Sequence, residues 1–273
     1  MYREFTLKTE NGLNLFSKSF INTETPKGIV IIIHGKGEHS GRYHEIAEYM
    51  AARNLAVYTM DLRGHGKSGG KVGHTSPRSK ILSDINLLID TAQKEHKNIP
   101  LFIFGHSMGG NIALDYRMTN QKNANAYIIS APWLYLYEPQ PKAIDIMVPI
   151  LANILPKMTI KTAINPESIS SIKEERGEND PLSNSVISLS TYRDVLISSK
   201  KILKTASNTK SPMLLLHGTD DSLVSIKGSR ELYEKSKDVC EYHEFKGSRH
   251  EMHHDIEKQR FFELVCDYIE KFI

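Results

Sequence analysis

The sequence predicts an α/β chain: a mostly parallel sheet of eight strands flanked by helices, with a helical insertion over residues 133–190. Three observations carry this expectation. The run Gly28-Ile29-Val30-Ile31-Ile32-Ile33 is continuously β-branched, as a strand buried on both faces must be. A second short run, Leu101-Phe102-Ile103-Phe104, breaks abruptly into Gly105-His106-Ser107-Met108-Gly109-Gly110 and then into a helical pattern. Strand-like and helix-like segments alternate along the chain, stop after residue 132 and resume near residue 192.

The elements follow in order. Tyr2 to Lys8 and Leu13 to Phe20 flank Glu10-Asn11-Gly12 and read as a hairpin with an Asn-Gly turn. The buried run at 28–33 comes next, then a helix from Tyr43 to Arg53 and a strand from Ala56 to Met60. Ser79 to His96 forms an amphipathic helix, with Ile81, Leu82, Ile85, Leu88 and Ile89 on one face. After the strand at 101–104, apolar residues at Ile112, Ala113, Leu114, Tyr116 and Met118 suit a helix packed on a sheet, and Ala124 to Ile129 is another strand. Alternation resumes with a helix at 192–206, a strand at 213–216, a helix at 228–237, a strand at 239–245 and a helix at 256–272. One domain spanning residues 1–273 accommodates all of these, with the insertion placed where a lid would lie over the carboxyl ends of the strands. Within the insertion, residues 143–155 are apolar around most of a helical circumference. Part of that surface must cover something besides the sheet: an acyl chain, a membrane interface, a partner, or simply neighbouring insertion residues.

Ser107 is the candidate nucleophile. A serine on so sharp a strand-to-helix turn has its hydroxyl pushed clear of the backbone, and only residues with almost no side chain fit beside it at Gly105 and Gly109. The helix that follows aims unpaired N–H groups at the place where an attacked carbonyl would become an oxyanion. A second donor is expected from the turn His34-Gly35-Lys36-Gly37 at the end of the buried strand, through the Lys36 N–H. The turn Gly218-Thr219-Asp220-Asp221 carries adjacent carboxylates on a strand end; Asp221 is the preferred acid and Asp220 a turn or capping residue. In Lys246-Gly247-Ser248-Arg249-His250, a flexible Gly-Ser precedes His250, the candidate base, whereas His253 and His254 are expected at the surface. The order Ser107, Asp221, His250 is that of the α/β-hydrolase fold.

Other chemistries fit less well. Gly64-His65-Gly66-Lys67-Ser68-Gly69 matches G-x-G-x-x-G, but a dinucleotide site needs a helix to open on those glycines, and Gly70, Gly73 and Pro77 follow instead. His250-Glu251-Met252-His253-His254 is a literal H-E-x-x-H; a zinc site would need both outer histidines on one helical face and would leave the serine turn unexplained. A net charge of +3 is too slight to argue for nucleic acid. Cys240 and Cys266 could form at most one bridge, and Cys266 reads as a free buried thiol. The N-terminus lacks the apolar core of a signal peptide, and no run approaches the ~18 apolar residues that span a bilayer.

Taken together, the chain resembles the monoglyceride lipase and lysophospholipase family of α/β-hydrolases, also described as serine aminopeptidase S33-like. The resemblance lies in six stretches spread over nearly the whole length: 34–43, 61–68, 105–110, Asp180-Pro181-Leu182, 218–221 and His250. It implies Asp221 as the acid, and the amides of Lys36 and Met108 as oxyanion donors. It also implies a cap domain over an acyl channel and hydrolysis of monoacylglycerols or lysophospholipids, small-molecule acyl esters, with no metal or cofactor. Family members more often carry a small residue where Lys36 stands. Rival readings are an esterase of short-chain or aromatic acids and a non-catalytic binding protein on the same fold. The accompanying expectation is a cytoplasmic chain whose cap touches membrane surfaces transiently.

Overall fold

The structure is a computed structural model and describes residues 2–162 and 164–273. The chain opens with β1 (Tyr2–Lys8) and β2 (Asn14–Phe20), paired antiparallel from Tyr2 opposite Phe20 to Lys8 opposite Asn14. The join is one residue longer than the expected two-residue Asn-Gly turn: the Gly12 amide donates to the Thr9 carbonyl at 2.8 Å and the Thr9 amide to the Leu13 carbonyl at 2.9 Å, with Gly12 at φ 81°. There follow β3 (Gly28–Ile33), α1 (His44–Ala51), β4 (Leu55–Met60), α2 (Arg78–Glu95), β5 (Leu101–His106), α3 (Met108–Thr119) and β6 (Ala126–Ser130). At this point the alternation is interrupted by α4 (Lys142–Ile154) and an antiparallel ribbon of β7 (Thr159–Lys161) and β8 (Val186–Ser188). The chain then returns to the sheet through α5 (Leu189–Thr205), β9 (Met213–Gly218), α6 (Ile226–Ser236), β10 (Cys240–Phe245) and α7 (Lys258–Glu270).

Among the described residues the main sheet has eight strands in the order β1-β2-β4-β3-β5-β6-β9-β10. The β2–β4 pair is antiparallel and every pairing from β4 to β10 is parallel. Every residue of β3, β4, β5, β6 and β9 is buried, as a parallel sheet covered on both faces requires. The period of two in β3 divides the core. Ile29, Ile31 and Ile33 join the cluster built on α2, α3, α5 and α6, while Val30 and Ile32 join the cluster built on α1 and α7. Both cysteines are free and buried.

Boundaries differ from the sequence reading where apolar character and hydrogen bonding part company. β5 continues past Phe104 because Gly105 and His106 still pair with Ile129 and Ser130 of β6. α3 begins at Met108, four residues before Ile112, the first apolar position of the expected helix. The insertion, expected to be helical, also contains the β7–β8 ribbon, whose three-residue strands are too short to register as alternation.

This topology positions the site. From β3 the chain moves to β4 on one side and then to β5 on the other, so the sequence order of the strands reverses at β3. Turns leaving the carboxyl ends of β3 and β5 diverge there, and a crevice opens between them.

Candidate active site

Ser107 occupies the turn between β5 and α3 with φ 53° and ψ −117°, a conformation that a side chain tolerates only when surroundings enforce it. The surroundings are tight. A Cβ on Gly109 would collide with the carbonyl oxygens of Ile33 and His34, and one on Gly105 would collide with the Gly109 carbonyl and lie 2.7 Å from Ala113 Cβ. The two glycines therefore let the first turn of α3 settle onto the ends of β3 and β5. The Ser107 carbonyl accepts from the Asn111 and Trp133 amides at 3.0 and 2.9 Å, and the Ser107 amide donates to Ser130. Among the described residues the Ser107 hydroxyl has no hydrogen-bond partner, and the side chain keeps 8% of its surface exposed.

The turn after β3 lies directly opposite. A Cβ on Gly35 would come within 3.0 Å of Ser107 Cβ. His34 is buried, donates from Nδ1 to the Gly35 carbonyl at 2.8 Å and accepts the Leu62 amide at Nε2; burial pushes its pKa down to about 3, so it is neutral. Glu38 Oε1 accepts both the Gly35 amide and the Tyr43 hydroxyl, the latter at 2.8 Å. Asp61 ties the neighbouring loop to this turn by accepting the Ser40 and Lys67 amides, each at 2.8 Å. The Gly-rich stretch at 64–69 is therefore a packed turn; α2 begins only at Arg78, and no phosphate cradle opens on it. Neither the Lys36 nor the Met108 N–H has an acceptor among the described residues, which leaves two free donors flanking Ser107.

Asp221 and His250 meet as the sequence order implied. His250 Nδ1 donates to Asp221 Oδ2 at 2.7 Å, which fixes the tautomer and leaves Nε2 as the acceptor. Asp221 is held from every side. Its Oδ1 accepts the Leu223 and Val224 amides at 2.9 Å each, and His217 Nε2 stands 3.1 Å from Oδ2. Burial alone would raise the Asp221 pKa, but His250 and His217 outweigh it and hold the carboxyl well below its ordinary range. For His250, burial disfavours the charged ring; Asp221, with Glu251 and Glu38 behind it, reverses the balance and raises the pKa. Asp220 is exposed and accepts from Thr219, the turn role expected of it. Gly218 is also required, because a Cβ there would strike the carbonyls of Ser248 and Arg249 in the His250 loop.

A buried polar layer that sequence reasoning missed lies behind His250. Arg42 pairs with Glu251 at 2.5 Å, and its Nε stands 3.9 Å from the otherwise unpartnered Glu38 Oε2. Burial and the nearby Glu251 raise the Glu38 pKa. His253 and His254 are not surface residues: they are 0% and 8% exposed, in a short 3-10 turn ahead of α7. His253 stacks on Tyr43 at 4.9 Å and meets the His106 ring edge-on at 5.0 Å, while His106 lies 4.7 Å from the His250 ring. The chain doubles back here to seat aromatic rings under the site, and that contact with residue 43 has no local sequence signal. The zinc reading fails on geometry, because His250 turns to Asp221 and lies outside any helix. Glu251, His253 and His254 do approach within 4.8 Å of one another, but Glu251 already holds the Arg42 cation, which opposes a second cation there.

One cavity of about 700 Å³ joins these parts. Lys36, Ser107 and His250 line it at one place; Trp133, Leu136, Ile144, Ile160, Ile164 and Leu223 give it an apolar wall, largely from the inserted segment. No hydrogen bond links His250 to Ser107 among the described residues, although both face the cavity.

The family model described as Serine aminopeptidase, S33 (Hydrolase_4) matches residues 24–257. The chain belongs to this family. An abhydrolase domain-containing protein of Dictyostelium discoideum is 31% identical over 263 residues, which cover 92% of this chain and 27% of that protein. Monoacylglycerol lipase of Mycolicibacterium smegmatis is 28% identical over 253 residues, 89% of this chain and 88% of its own. Among solved structures, the crystal structure of Paleococcus ferrophilus monoacylglycerol lipase is similar with a TM-score of 0.87 at 30% identity, covering 95% of this chain and 99% of that one. With the family match, these relatives make the chain a serine hydrolase of carboxylic esters.

The Glu38 contacts generate a testable contrast. Glu38→Ala strips two buried donors of their acceptor and is expected to lower stability by about 2–4 kcal/mol, whereas Glu38→Gln keeps the Oε1 acceptor and should stay within about 1 kcal/mol of the parent. Urea denaturation midpoints at constant slope measure both.

Proposed function

We propose that the chain cleaves esters of single-chain acyl lipids through an acyl-enzyme on Ser107. The observation that carries this reading is the joining of Ser107 and His250 to a long apolar wall in one cavity, which suits a substrate with one reactive ester and one aliphatic chain. The residues matched by the family model and the relatives named monoacylglycerol lipase support it.

Each step follows from the groups present. His250 Nε2 takes the Ser107 proton as Oγ attacks the ester carbonyl, and Asp221 stabilises the imidazolium that forms. The negative oxygen of the tetrahedral intermediate accepts from the free N–H groups of Lys36 and Met108. His250 then returns the proton to the departing alcohol as the carbon–oxygen bond breaks. Water, deprotonated by the same ring, attacks the acyl-enzyme and releases the fatty acid and the serine hydroxyl. The Ser107–His250 hydrogen bond required at the start forms as substrate closes the site, since such contacts are often loose without it. All of this chemistry is supplied by side chains and backbone amides.

Residues 133–190 act as the cap over this cavity. On α4, Ile146, Met147, Ile150 and Ile154 are exposed by 65, 55, 58 and 71%. Such a surface suits transient contact with the lipid interface that supplies the substrate. Among the described residues no helix is long and apolar enough to cross a membrane.

Three measurements test this reading. Ser107→Ala should abolish hydrolysis of a long-chain monoacylglycerol and labelling by a fluorophosphonate; retained turnover would overturn the assignment. kcat/KM should rise with pH along an acid limb above 6.5, because only neutral His250 accepts a proton and its pKa is raised; Asp221→Asn should lower kcat about 10³–10⁴-fold and move that limb to lower pH. Replacing Ile146, Ile150 and Ile154 together by serine should cut sedimentation with phosphatidylcholine vesicles while a water-soluble short-chain ester is still cleaved.

A further inference from the structure

We propose that Lys36 binds a phosphate group on the alcohol part of the substrate, so that the cavity favours an acyl glycerol phosphate over the corresponding neutral glycerol ester. This rests on the serine-hydrolase reading above and adds the head-group class. Lys36 stands between the glycines of the turn facing Ser107, so its side chain starts close to that serine. It does not leave for solvent. It runs along the cavity wall to the inserted segment, where Nζ donates to Thr162 Oγ1. No carboxylate forms an ion pair with it among the described residues, in contrast with Arg42 and Arg63, each of which is paired to a buried carboxylate.

A partly buried ammonium ion with one neutral partner is an incomplete site: the group is withdrawn from water, and no described residue returns the lost charge interaction. Burial alone drives its pKa, down to about 8, so at neutral pH the charge persists and awaits a counter-ion. Arg176 lines the same cavity and is similarly underused. Its Nε donates to the Ser170 carbonyl at 3.1 Å, but its nearest carboxylates, on the exposed Glu167 and Glu178, are 3.9 and 3.8 Å away. The acidic groups of the lining do not neutralise this region. Asp180 is engaged by His39 and Glu251 by Arg42; Glu38 accepts from the Gly35 amide and the Tyr43 hydroxyl and has Arg42 Nε 3.9 Å from its other oxygen, while Glu138 and Glu178 are exposed to solvent. A phosphate carries enough acceptor oxygens to meet an ammonium and a guanidinium together, and charge-assisted bonds of that kind are strong and discriminating. Because the amide of residue 36 serves the oxyanion whatever side chain follows, the ammonium remains free to select substrates.

The test compares 1-oleoylglycerol with 1-oleoylglycerol 3-phosphate in neutral mixed micelles, for the parent, Lys36→Met and Lys36→Arg. The readout is the ratio of kcat/KM for the phosphate ester to that for the neutral ester, in which any loss common to both substrates, including partial unfolding, cancels. Lys36→Met should lower this ratio at least about tenfold, and Lys36→Arg should keep most of it. Added salt should depress the ratio of the parent but not that of Lys36→Met. A ratio unchanged in Lys36→Met overturns the assignment and leaves Lys36 as a tie to Thr162. Ser107→Ala separates the two claims: turnover retained there overturns the serine reading itself, whereas turnover lost there with an unchanged Lys36→Met ratio overturns the phosphate assignment alone.

Discussion

The close approach of α3 to the ends of β3 and β5 governs the rest of this structure. Backbone carbonyls of Ile33 and His34 occupy the space where a side chain at residue 109 would project. Only with glycine there can the helix begin immediately after Ser107, and only then does the serine take its positive φ. The same contact brings the β3 turn against Ser107, so the hydroxyl lies between the amides of residues 36 and 108, neither of which has an acceptor among the described residues. Strain at one residue is thereby offset by packing along three strand and helix ends.

Charge is organised around this crevice in nested layers. Asp221 takes two amides and two imidazoles, and so stays ionised in a place that would otherwise protonate it. Further out, Glu251 and Arg42 neutralise each other, and Glu38 holds the β3 turn. The neutral rings of His34, His106 and His253 fill the volume between. Both nitrogens of His253 are buried without a hydrogen-bond partner among the described residues. The result is a buried His250 imidazole whose charged form is favoured by Asp221 first and by Glu251 and Glu38 behind it.

Much of this was legible in the sequence, for physical reasons. A strand buried on both faces must be apolar throughout, so β3 and β5 announce themselves, and a turn that tolerates no Cβ must be written in glycine, so Gly105, Gly109 and Gly218 mark the serine and the acid. The spacing of Ser107, Asp221 and His250 then follows chain order. What could not be read was whatever depends on distant partners. His217 looks like any residue of an apolar strand until the fold returns Asp221 to it, and the Arg42–Glu251 pair joins positions 209 residues apart. His253 and His254 look solvated because their neighbours in sequence are polar; their neighbours in space include Tyr43 and His106. The β7–β8 ribbon escaped notice for a different reason, since its strands are shorter than one full period of alternation on each face.

The inserted segment is also stitched to the loop that carries His250. The His250 amide donates to the Ser168 carbonyl at 3.3 Å, the Glu251 amide to the Ile169 carbonyl at 2.9 Å, and Ser222, beside the acid, donates to Ser168. A roof fastened to the machinery beneath it cannot lift independently there. Residues 168–169 are thereby coupled to the His250 loop and the Asp221 turn at once, so a displacement of the one would be felt by both imidazole and carboxylate.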